Sequence, residues 1–144
     1  MYKKILMPTD GSAASQKAIR EGLELARHTG ASVTFLYVLE SISYSLWISP
    51  ESVPYGLELV EDLKRVGQEA LDRAAELARA AGVAYETRLV EGRPVEVILA
   101  EARQHDLIVM GTHGRSGLDR FMLGSVTEAV LHRSDKPVLV LRSR

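Results

Sequence analysis

Leu107-Ile108-Val109-Met110-Gly111-Thr112-His113-Gly114 is the stretch that decides how this chain folds. Four consecutive apolar residues leave no polar face. That pattern belongs to a strand covered on both sides, the central position of a parallel sheet. The strand runs straight into Gly111, and Gly114 follows. Nine residues later stand Gly124-Ser125-Val126, at the start of a helical pattern. Glycine lets the backbone turn sharply and lets a ligand approach the main chain. A helix start offers unpaired N–H groups and the positive end of a dipole. Together these features make a phosphate cradle.

The same alternation extends in both directions. Upstream, Lys4 to Met7 is a short apolar strand stopped by Pro8. Ser12 is a candidate N-cap for a helix over 13–28, which Gly30 ends. Ser32 to Leu39 is β-branched and aromatic, a second strand. Residues 40–56 lack periodicity and hold Trp47, Pro50, Pro54 and Gly56, so a long loop is expected there. With Tyr44, Leu46 and Ile48, Trp47 forms either a lid or partner surface, or folds back on the core. Residues 57–81 repeat apolar positions at helical spacing and stop at Gly82. Val83 to Val90 is a third strand. Pro94 suits the first turn of the next helix, lined by Val95, Ile98, Leu99 and Ala102. Downstream of the opening stretch, Ser125 to Arg133 is the last helix. Val138 to Leu141 is the fifth strand. Strand and helix alternate throughout, which predicts an α/β domain over residues 1–144 with a parallel sheet and right-handed crossovers.

Composition removes several function classes. The net charge is −1, with no long run of either sign, so no basic surface for nucleic acid or membrane is expected. Cysteine is absent, which excludes thiolate nucleophiles and disulfides. The amino-terminal apolar run is too short for a signal peptide, and the cytoplasm is the expected location. His28, His105 and His132 show no metal-ligand spacing, and no metal ligands are assigned.

In open α/β sheets, ligands bind beyond the carboxyl ends of the strands where the strand order reverses. The ends concerned are Pro8-Thr9-Asp10-Gly11 and Gly111. Setting them side by side places Asp10 opposite the cradle. Asp10 is anionic and repels phosphate. It accepts hydrogen bonds from a base or ribose, holds a divalent cation, or caps the first helix. The N–H groups of Gly124, Ser125 and Val126 would face the anion. The Ser125 hydroxyl adds a donor or caps the last helix. Arg120 reaches phosphate or stays solvated. A ligand with phosphates and a polar head is a nucleotide. No Gly-Lys-Ser/Thr P-loop and no Gly-x-Gly-x-x-Gly are present, so typical NTPase machinery is missing. His113 has no carboxylate beside it in sequence to orient it as a base, and no catalytic residue is assigned.

On these residues the chain resembles the universal stress protein family. The resemblance rests on Ile5-Leu-Met-Pro-Thr-Asp-Gly-Ser12, on Gly111-x-x-Gly114-(nine residues)-Gly124-Ser125, and on Pro137-Val-Leu-Val-Leu141. Because every glycine position is kept, the resemblance is to the ATP-binding branch. It implies a three-layer sandwich: an open five-stranded parallel sheet in order 3-2-1-4-5 with helices on both faces. It implies adenine and ribose recognition by Pro8, Thr9, Asp10 and Val38. Phosphate contacts would come from Gly111, Gly114, Gly124, Ser125 and Val126, with His113 and Arg115 nearby. The implied cofactor is ATP with Mg²⁺. The implied assembly is a homodimer through the last strand, residues 138–142. The implied role is a nucleotide-dependent switch in the stress response, with weak ATP hydrolysis at most. A slow hydrolase or phosphotransfer enzyme with Mg²⁺ on Asp10, and a nucleotide-independent dimeric interaction module, are the rival expectations.

Overall fold

The computed structural model describes residues 2–40, 53–112 and 124–142, and only the backbone of 53–58. In chain order the elements are β1 (Lys4–Pro8), α1 (Ala13–Thr29), β2 (Ser32–Leu39), α2 (Val53–Ala81), β3 (Tyr85–Glu91), α3 (Pro94–Ala102), β4 (Leu107–Gly111), α4 (Ser125–Arg133) and β5 (Val138–Leu141). The five strands form one sheet in the order β3-β2-β1-β4-β5, and every pairing is parallel. The α/β sheet expected from the alternation, and the order implied by the family resemblance, are both present.

Alternation along each strand sorts the side chains into two layers. Ile5 and Met7 of β1 face α1 and α2, in a core with Ile19, Leu23, Phe35, Leu71 and Val109. Leu6 points the other way, toward α3 and α4, with Leu36, Ile98, Ile108, Met110 and Val130. Ile5, Leu6 and Ile108 have no exposed surface. Full burial of such a side chain contributes about 1.5–3 kcal/mol. That explains why β1 and β4 are apolar on both faces.

Helix ends follow the sequence signals at α1. The Ser12 hydroxyl accepts from the Ser15 N–H at 3.2 Å, and Gly30 closes the helix at φ 73°. Two boundaries differ from expectation by more than one residue. The segment 40–56 was expected to be loop throughout, but α2 begins at Val53. Pro54 is its second residue, where a missing N–H costs no intrahelical bond. The third strand starts at Tyr85 rather than Val83. Gly82 turns left-handed at φ 71°, and the Val83 N–H returns to the Ala78 carbonyl, so these residues finish α2. Trp47 and its apolar neighbours lie outside the described residues.

Candidate functional site

The strand order reverses between β1 and β4, which makes that junction the topological switch point. The two strands are paired only at Ile5 with Leu107 and at Leu6 with Ile108. Beyond that, β1 continues with β2 and β4 continues with β5. The separation opens a cavity of about 510 Å³ at the carboxyl ends of the strands. Leu36, Ile98 and Met110 form its floor, at the top of the second core layer.

One wall is the turn after β1. The Thr9 N–H donates to the Leu36 carbonyl at 2.8 Å, and the Thr9 hydroxyl accepts from the Gly11 N–H at 3.1 Å. Ser15 gives its hydroxyl proton to the Ser12 carbonyl at 3.0 Å, so at the 3.0 Å contact between Thr9 and Ser15 it is Thr9 that donates. Asp10 Oδ1 accepts from the Ser12 N–H at 2.9 Å, an Asx turn that fixes its carboxylate. Ser12 caps α1, so Asp10 is not the cap. Gly11 stands at φ +80°, and a Cβ there would lie 3.2 Å from the Cβ of Ala70 and from an arginine nitrogen of Arg73. The dihedral favours glycine, and the space leaves an added Cβ tight.

The opposite wall is the start of α4. Gly124, not Ser125, is the N-cap, with φ −62° and ψ 153° and no side-chain cap. Ser125 is therefore the first helical residue, and its exposed hydroxyl makes no hydrogen bond to a described residue. The Gly124 N–H does not face the cavity as a free donor. It donates to the Thr112 carbonyl at 2.6 Å. The unpaired donors of this first turn are the N–H groups of Ser125, Val126 and Thr127. Gly111 and Gly124 are not among the described glycines with positive φ. Their glycine character does not serve a left-handed turn. It leaves the wall without side chains, so a ligand can reach the main chain.

Of the residues singled out from the sequence, Pro8, Thr9, Asp10, Val38, Gly111, Gly124, Ser125 and Val126 all line this one cavity. His113, Gly114, Arg115 and Arg120 lie outside the described residues. The sequence reading missed Ser15, Tyr37, Glu40, Pro94 and Thr127, which line it too. Ser15 and Thr127 carried a signal. Each is a small hydroxyl residue inside the first turn of a helix that starts at the switch point. None of the described lining residues is basic, and Asp10 and Glu40 are acidic. Anion attraction on the described walls rests on main-chain donors and the α4 dipole.

His105 belongs elsewhere. It is buried, and its Nδ1 donates to the Glu101 carbonyl at 2.8 Å while Nε2 meets the Thr34 hydroxyl at 2.8 Å.

The universal stress protein family model matches residues 1–142. The chain belongs to that family. A universal stress protein of Methanocaldococcus jannaschii is 40% identical over 145 residues, covering 99% of this chain and 83% of that protein. The solved structure of the universal stress protein UspA from Lactobacillus plantarum superposes with a TM-score of 0.86 at 29% identity, covering 98% of both chains. A universal stress protein solved in complex with cAMP superposes with a TM-score of 0.71 at 27% identity, covering 99% of this chain and 98% of that one.

Proposed function

We propose that this universal stress protein is a single nucleotide-binding domain that takes an adenine nucleotide, ATP with Mg²⁺ foremost, as a switch rather than as fuel. One observation carries the reading. One cavity of about 510 Å³ is lined by both the uncapped first turn of α4 and the fixed carboxylate of Asp10. Three unpaired N–H groups and a helix dipole suit phosphate oxygens. A carboxylate suits the hydroxyls and amino groups of a nucleoside, or a cation that accompanies the phosphates. The related protein solved with cAMP supports an adenine nucleotide as the ligand class. Pro8, Thr9, Asp10 and Val38 would hold the nucleoside. Gly111, Gly124, Ser125 and Val126 would hold phosphate, joined by His113, Gly114 and Arg115 from the adjoining segment.

The two sheet edges support a homodimer through β5. The β3 edge carries Glu86, Arg88 and Glu91, charges that discourage further pairing. The β5 edge is Val-Leu-Val-Leu, with Leu139 exposed. A second copy pairing along β5 covers it symmetrically.

The test is melting temperature with and without Mg-ATP. Ligand at about 100 times its Kd stabilises by roughly 2.7 kcal/mol. Gly124→Val with Ser125→Ala is expected to remove the shift and keep the fold. A wild type with no shift for any adenine nucleotide would overturn the reading. A shift that survives the double change would overturn the phosphate placement.

A further inference from the structure

A second concavity, also about 510 Å³, adjoins the first in the groove between α3 and α4. The two share Glu40, Pro94 and Val126 as lining residues and are therefore neighbours. Their chemistry differs. The described lining of the first holds no cation, whereas the second holds Arg93 and Arg133. Arg133 is committed: its guanidinium grips Glu96 through two bonds of 3.0 and 3.3 Å. Arg93 stands immediately before α3, exposed; its guanidinium makes no hydrogen bond or ion pair to a described residue, and its charge acts on Glu96 in the same groove. Pro94, Val95 and Val126 give the groove an apolar floor beside that guanidinium. Arg133 lies two turns along α4 from Val126, a rise of about 10 Å, so the groove has the length of a nucleoside.

An apolar floor for a flat ring, next to a guanidinium with no hydrogen-bond partner, is what a nucleotide unit requires. Arginine pairs with phosphate through its fork and stacks on a base through its plane. We propose that the nucleotide site extends into this groove, and that the protein takes a linear dinucleoside polyphosphate. Its second nucleoside lies on Pro94, Val95 and Val126, and the Arg93 guanidinium stacks on that base. This rests on the adenine-nucleotide reading of the first cavity and sharpens its ligand class.

The experiment is calorimetric titration of the full chain with ATP, adenosine 5′-tetraphosphate and diadenosine tetraphosphate, all with Mg²⁺. Adenosine tetraphosphate supplies the phosphates without the second nucleoside. Diadenosine tetraphosphate is expected to bind about tenfold tighter than adenosine tetraphosphate, the size of one guanidinium stacked on an aromatic ring. Arg93→Glu is expected to remove that gain and leave ATP affinity unchanged. ATP binding with no gain for the dinucleotide would overturn the extension alone, as would a gain that survives Arg93→Glu. No binding by any of the three would overturn the extension together with the site reading beneath it.

Discussion

The Thr127 hydroxyl donates to the Gly111 carbonyl at 2.9 Å, tying the first turn of α4 to the last residue of β4. Thr127 is buried, while Gly111 is half-buried at the cavity wall. Thr127→Val keeps the shape and removes the donor. It is expected to cost about 1 kcal/mol, the net contribution of one hydrogen bond. It is also expected to weaken nucleotide binding, because α4 is no longer registered against β4. Thermal denaturation and a nucleotide titration on the same variant check both. An unchanged melting temperature would remove Thr127 from this role.

Asp10→Ala separates the two halves of the cavity. Loss of the carboxylate is expected to lower affinity for adenosine and to leave affinity for inorganic tripolyphosphate intact. The lost bond to the Ser12 N–H also lowers stability, by about 1 kcal/mol. If tripolyphosphate binding falls and adenosine binding holds, the assignment of the two ends is reversed. Steady phosphate release in the wild type that disappears in this variant would favour an enzyme over a switch.

Gly67→Ala tests a close approach. An added Cβ would sit 2.7 Å from Tyr37 Cδ1 and 3.0 Å from Leu89 Cδ1. In an open helix that change gains about 0.5–1 kcal/mol. Here overpacking is expected to turn the gain into a loss of about 1–3 kcal/mol. Tyr37 also lines the nucleotide cavity, so binding weakens with it. Urea denaturation yielding a stabler variant would contradict this.

Arg133 beside Glu96 holds the Glu96 carboxyl below its usual value of 4.5, by hydrogen bonding first and by charge second. The sign follows from a folded pKa lower than the unfolded one. The stabilisation is complete above pH 4.5 and is lost as pH falls through the lowered folded value. The pair is exposed, so its effect is small. Glu96→Gln is expected to melt slightly below wild type near neutral pH and to converge with it in acid. A difference that grows on acidification would contradict the sign.

Val140→Lys places a charge on the β5 edge. It is expected to convert a dimer to monomer in sedimentation velocity. A wild type that is already monomeric at micromolar concentration would remove the dimer.

Much of this was legible in the residues themselves. The apolar run 107–110 identified a strand buried on both faces, because only such a strand needs no polar alternation. Gly30 and Gly82 marked helix ends, since each takes a left-handed turn. Asp10 and Gly124 were placed at one site because strand ends at a switch point converge. The cap of α4 was harder. Ser125 and Gly124 both suit that position, and the choice depends on the Thr112 carbonyl, which consumes the Gly124 N–H. Tyr37, Glu40 and Pro94 were illegible because they reach the cavity from β2 and α3, and nothing local in the sequence reports that convergence. The start of α2 was misjudged because Pro54 and Gly56 look like loop residues wherever they stand.

The bond from the Gly124 N–H to the Thr112 carbonyl closes the chain on itself at 2.6 Å, with residues 113–123 between its ends. Sheet and helices meet at that closure whatever is threaded through it. The handover from β4 to α4 is thereby pinned at two described residues, and Gly124→Pro, which removes the donor, is expected to loosen the helix start from the sheet.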